Sequence, residues 1–125
     1  EAEINYPFII GNKEQQLKFS YTFIKDDLEA VEVNFSKYSI NSLKYHFAST
    51  FVSNISSNIQ CFVALKYADR PSIGGYTLLD LNLQWNWKAF QLNVSANNLL
   101  DTQYSETSLV PMPGRNTLLS VHYNF

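Results

Sequence analysis

Apolar and polar residues alternate one by one along six stretches of this chain, and that period admits β-strands and little else. Leu17, Phe19, Tyr21 and Phe23 alternate with Lys18, Ser20 and Thr22. Leu43, Tyr45, Phe47 and Phe51 alternate with Lys44, His46 and Thr50. Ile59, Cys61, Val63, Leu65 and Tyr67 alternate with Gln60, Phe62, Ala64 and Lys66. Leu79, Leu81, Leu83, Trp85 and Trp87 alternate with Asp80, Asn82, Gln84 and Asn86. Phe90, Leu92, Val94 and Ala96 alternate with Gln91, Asn93, Ser95 and Asn97, and Leu119, Val121, Tyr123 and Phe125 with Ser120, His122 and Asn124. Successive strand residues point to opposite faces, whereas a helical pitch would scatter each set over both. The chain is expected to be all-β, with the tail of a further strand at residues 3–9.

The connections alternate too. They are short near 11–15, long at 26–42, short at 53–58, medium at 69–75, short at 86–89 and long at 98–114. In an antiparallel up-and-down meander successive turns lie at opposite ends. The short turns therefore share one end and the longer loops the other, the asymmetry of outer-membrane barrels.

Alternation alone also fits a soluble β-sandwich binding module, so the two faces must be weighed. Charged residues make up only 16% of the chain, against about 25% in soluble domains. The polar face is mostly neutral, which suits a lumen: Lys44, His46, Asp80, Asn82, Gln84, Asn93 and His122 are expected to face it. Aromatics reach 15% and gather at strand ends. Trp85, Trp87 and Phe90 flank one short turn, and Tyr67 and Tyr76 flank the opposite loop, as interfacial girdles would. Strands of about 10 residues, tilted by about 45°, cover roughly 25 Å of membrane. No apolar run approaches the length of a membrane helix. Val121, Tyr123 and Phe125 form an alternating, aromatic C-terminus of the kind read by the barrel-assembly machinery of Gram-negative bacteria. A small complete outer-membrane barrel of structural or adhesive type is a further alternative.

Other classes are disfavoured. Nine basic residues against eleven acidic give a net charge of −2, so no nucleic-acid partner is expected. The single cysteine, Cys61, allows neither an internal disulfide nor a multi-cysteine zinc site. His46 and His122 lack acidic or histidine neighbours at ligand spacing and read as lumen hydrogen-bonding groups. Asp26, Asp27, Glu29 and Glu32 read as a solvated outer loop. Asn34, Asn54 and Asn93 each begin an Asn-X-Ser triplet that reads as chance. Asp80 has no acidic partner within two positions, and no nucleophile–base pair or phosphate loop is present. No enzyme activity, cofactor or metal is expected.

The last stretch is more specific. Asn98-Leu99-Leu100-Asp101-Thr102-Gln103-Tyr104 is followed by Pro113-Gly114-Arg115 and then by the final alternating strand. Gly75-Tyr76-Thr77-Leu78-Leu79-Asp80 lies upstream. Together these resemble the C-terminal signature of TonB-dependent outer-membrane receptors, with Leu100 where Phe is commoner. Val110-Pro111-Met112-Pro113 and the 36–46 stretch look most like cobalamin- and siderophore-type members from Bacteroidetes-like bacteria. The resemblance implies a 22-stranded barrel filled by a plug, in the cell outer membrane. Residues 1–125 would be its C-terminal part, an incomplete domain whose plug and earlier strands lie elsewhere. It implies energy-coupled uptake of a scarce nutrient such as an iron-siderophore, haem or cobalamin. The partners implied are outer-membrane lipid, the assembly machinery, the TonB complex through the plug, and the nutrient through the whole receptor. Pro113 and Gly114 are expected to shape the turn into the last strand, and Arg115 to pair with carboxylate or carbonyl groups at the outer rim.

Overall fold

The computed structural model describes residues 1–24, 44–70, 74–107 and 110–124. Leu43, the acids at 26–32, Asn34 and Phe125 lie outside the described residues. Among the described residues nine strands follow one another: β1 (Ala2–Ile10), β2 (Lys13–Phe23), β3 (Tyr45–Ser56), β4 (Ile59–Arg70), β5 (Gly74–Trp87), β6 (Phe90–Asn97), β7 (Ser105–Thr107), β8 (Val110–Pro111) and β9 (Asn116–Tyr123). Seven of them form one antiparallel sheet in the order β1-β2-β3-β4-β5-β6-β9, and β7 pairs with β8 in a separate hairpin. The all-β, up-and-down architecture is as expected. The tail at 3–9 is a complete strand. Its Pro7 and Ile9 interrupt the alternation, and a proline is tolerated there because β1 is an edge strand.

Register carries the alternation across the sheet. Tyr6, Leu17, Phe51, Val63, Leu81 and Ala96 pair in turn along one row. Asn5, Lys18, Thr50, Ala64 and Asp80 form the neighbouring row. Because side chains alternate, a slip of one residue anywhere would invert a strand. The shared face is therefore apolar from β1 to β9.

The short turns sit at one end. Gly11 and Asn12 both have positive φ, 55° and 64°, the signature of a two-residue type I′ hairpin. The 53–58 connection is shorter than expected, because β3 runs to Ser56 with an irregularity between Asn54 and Ser56. At the other end β4 continues to Arg70 and β5 begins at Gly74. β2 to β5 are 11 to 14 residues long. At about 3.3 Å per residue and a 45° tilt, even 11 residues span roughly 25 Å.

The buried core lies on the side that the alternation marks as polar. Among the described residues the buried hydrophobics are Ala64, Ala68, Tyr76 and Leu78. All four share the Asp80 face by register. Tyr76 pairs with Ala68 and Tyr67 with Thr77, so Tyr76 and Tyr67 point to opposite faces. Tyr76 therefore does not join Tyr67 in a girdle. Residues 98–107 and 110–113 lie over this part of the face, with Tyr104 packed on the cluster. The apolar face has no such cover among the described residues: Leu83, Trp85, Trp87, Leu119, Val121 and Tyr123 are all exposed.

Candidate functional site

The two motif blocks meet at the base of the β7–β8 hairpin. Asn98 takes a positive φ of 50° and Asp101 one of 55°, a left-handed conformation that Asn and Asp adopt more readily than other side-chain-bearing residues. Between them the Asp101 N–H donates to the Asn98 carbonyl at 2.9 Å, closing a turn. Asn98 is buried, at 3% exposure. Its Nδ2 donates to the carbonyls of Thr102 (2.9 Å) and Pro113 (3.3 Å), and its Oδ1 accepts the Thr102 N–H at 2.9 Å. Asn98 thus ties the end of β6 to the start of β9 across the hairpin.

Asp101 makes the second tie. Its Oδ1 accepts the backbone N–H of Arg115 at 2.9 Å. Gly114 leaves room for this, since a Cβ there would stand 2.9 Å from the same oxygen. Arg115 is fixed here through its main chain. Its backbone is held at the turn, while its guanidinium makes no ion pair or hydrogen bond among the described residues.

The sheet holds the hairpin from below. Asp80 accepts the Asn98 N–H through Oδ1 at 2.9 Å and pairs through Oδ2 with Lys66 Nζ at 3.1 Å. The Leu99 N–H donates to the Leu79 carbonyl at 2.8 Å. Thr102 Oγ1 donates to the Thr77 carbonyl at 2.8 Å. Tyr104 packs on Tyr76 with ring centroids 4.6 Å apart and the rings tilted by 35°. Burial, then the Glu106 carboxylate, hold the Tyr104 phenol above the usual tyrosine range. Thr102 and Lys66 are contributors that motif reading missed. A lone threonine and an alternating lysine carry no distinguishing signal in sequence.

The other expected positions divide by face. Trp85 and Trp87 stack at 6.2 Å and Trp87 and Phe90 at 6.2 Å, while Phe90 and Tyr123 meet at 4.9 Å with their rings tilted by 50°. They form an exposed aromatic run beside the 88–89 turn, with Lys88 Nζ 5.4 Å from the Trp87 ring centroid. Tyr67 lies toward the opposite end of that face, and Val121 pairs with Leu92 on it. Asn82, Gln84, Asn93 and His122 lie on the Asp80 face by register. Asn82 donates to Ser95 Oγ at 2.7 Å. Lys44 just precedes β3, its Nζ 5.3 Å from the Tyr45 ring centroid. Neither imidazole, His46 or His122, forms a hydrogen bond among the described residues. No group of three His, Cys, Asp or Glu side chains converges among them.

What this arrangement does chemically is hold geometry. It fixes the β7–β8 hairpin to a single sheet whose two faces differ in polarity. Compared with protein-family models, with curated proteins and with solved structures, the chain gives no match.

Proposed function

We propose that this chain is the C-terminal wall of a TonB-dependent outer-membrane receptor, which takes up a scarce nutrient such as an iron chelate, haem or cobalamin. The observation that carries the reading is the joining of the two motif blocks. Asn98 and Asp101 bind the backbone at Pro113 and Arg115, so residues far apart in sequence act as one unit. The exposed apolar face, with its aromatic run beside a tight turn, is suited to lipid and its interface. In this reading the segment supplies wall, lumen surface and outer loops, and the plug and TonB complex act through the rest of the receptor.

The test is to place the chain in its source cell. Expected are recovery in the outer-membrane fraction, heat-modifiable migration of the full polypeptide, and a coding region ahead of Glu1 that specifies a plug and further strands. A parent gene without them would sink the reading. A detergent-free monomer with a cooperative melt would instead favour a soluble binding module.

A further inference from the structure

A cavity of about 470 Å³ lies between the β3–β5 part of the sheet and the β7–β8 hairpin. Its floor is shaped by Ala68. His46 stands across from Ala68 on β3 and Tyr76 across from it on β5, while Lys66 and Arg70 lie two positions to either side on β4. A methyl group ringed by four long side chains leaves a bowl. Tyr104, Glu106 and Met112 of the β7–β8 hairpin and its flanks roof it.

The charges are sorted by layer. Lys66 and Arg70 belong to the floor, beside the His46 ring. Asp80 is also there, but Lys66 and the Asn98 N–H occupy its two oxygens. The Lys66 side chain is about half exposed, at 48%, and an ammonium has three donors, of which Asp80 takes one. The roof carries Glu106 on the hairpin. Tyr104 senses both layers: after burial, Glu106 raises its phenol and Lys66 lowers it. The amides of Asn97 and Asn116 line the side.

We infer that this cavity binds a small zwitterion, its anionic group on Lys66 and its cationic group on Glu106. A plain anion would meet Glu106 without compensation, and a plain cation would meet Lys66. Only a ligand bearing both charges complements both layers. The volume lies within the range of small-molecule sites. The inference rests on the described residues and stands apart from the receptor reading.

The test uses the full polypeptide in detergent micelles and a series of ω-amino carboxylates of increasing chain length, followed by isothermal titration calorimetry. One length is expected to bind best. The carboxylate and the amine of that length, each alone, are expected to bind at least about tenfold more weakly. Lys66→Met and Glu106→Gln are each expected to weaken the zwitterion by about tenfold or more. Glu106→Gln changes no contact of Asp80 or Asn98, so it remains informative if Lys66→Met perturbs folding. Equal binding of the carboxylate alone, binding unchanged in Glu106→Gln, or no binding by any member would each overturn the proposal.

Discussion

Asp101 and Gly114 meet at the foot of the β7–β8 hairpin, where the carboxylate fills the space that a side chain at 114 would need. A Cβ there would lie 2.9 Å from Asp101 Oδ1, the atom that accepts the Arg115 N–H. Gly114→Ala should push the carboxylate aside and release that amide. Loss of the bond and the crowding together are expected to cost about 1–3 kcal/mol. Urea unfolding of the protein in micelles measures this. A matching loss in Asp101→Ala, with no further loss in the double variant, would show that the two act through one contact.

Asn98 is the more demanding position. It combines burial, positive φ and three side-chain hydrogen bonds. Asn98→Ala strands those backbone groups and strains the left-handed turn, for a loss of about 2–4 kcal/mol. Asn98→Asp keeps an acceptor for the Thr102 N–H but sets a buried carboxylate oxygen against the Thr102 and Pro113 carbonyls, so its global loss should be at least as large. Amide hydrogen exchange at Thr102 separates the two: fast in the alanine variant, slower in the aspartate one.

Gly75 makes a contrasting case. A Cβ there would meet the Tyr67 hydroxyl at 2.8 Å and ring atoms at 3.3 Å. The obstacle is the free end of an exposed side chain, which can swing away. Gly75→Ala is therefore expected to cost less than about 1 kcal/mol in the same urea assay, below Gly114→Ala. A larger loss at Gly75 would mean that the Tyr67 ring is fixed on the glycine.

Tyr104 predicts an alkaline signature. Its folded pKa lies above its ordinary value of 10.0, so the folded state holds the phenolic proton more tightly. The stabilising contribution is whole below about pH 10 and is lost as pH rises through the folded pKa. Ultraviolet titration should show a late phenolate step that Tyr104→Phe removes. Near neutral pH the stability of that variant should have no added pH slope.

Trp85 and Trp87 test the orientation of the wall. Both sit on the exposed apolar face beside the 88–89 turn. In lipid vesicles their emission should be blue-shifted and should be quenched more by lipids brominated near the headgroup than by those brominated deep in the chains. Emission unchanged on moving from water to lipid would contradict a membrane-facing role.

The sheet is legible in sequence wherever one face carries a run of apolar residues. Leu79 to Trp87 gave β5 its faces, and the paired rows confirm them. The start of β5 was harder, because Tyr76 and Leu78 are apolar on the face that is polar further along. Tyr104, brought back from the β7–β8 side, covers that corner, and such long-range cover leaves no local period. The hairpin itself was missed because β7 and β8 have three and two residues, too few to show any alternation. At the site, Asn98, Asp101, Tyr104 and Gly114 stood out as a motif. Thr102, Lys66 and the buried position of Tyr76 depend on neighbours across strands.

Among the described residues β9 has a neighbour on one side only, and all eight of its residues are exposed. The run Asn116-Thr117-Leu118-Leu119-Ser120-Val121-His122-Tyr123 carries no aspartate, glutamate, lysine, arginine or proline to discourage another strand. A newly made copy in water is therefore in a race between whatever lawfully completes that flank and other copies of itself. Yield of soluble material should depend on how fast the flank is filled, and hence on concentration and on added lipid or detergent, more than on any single contact inside the sheet.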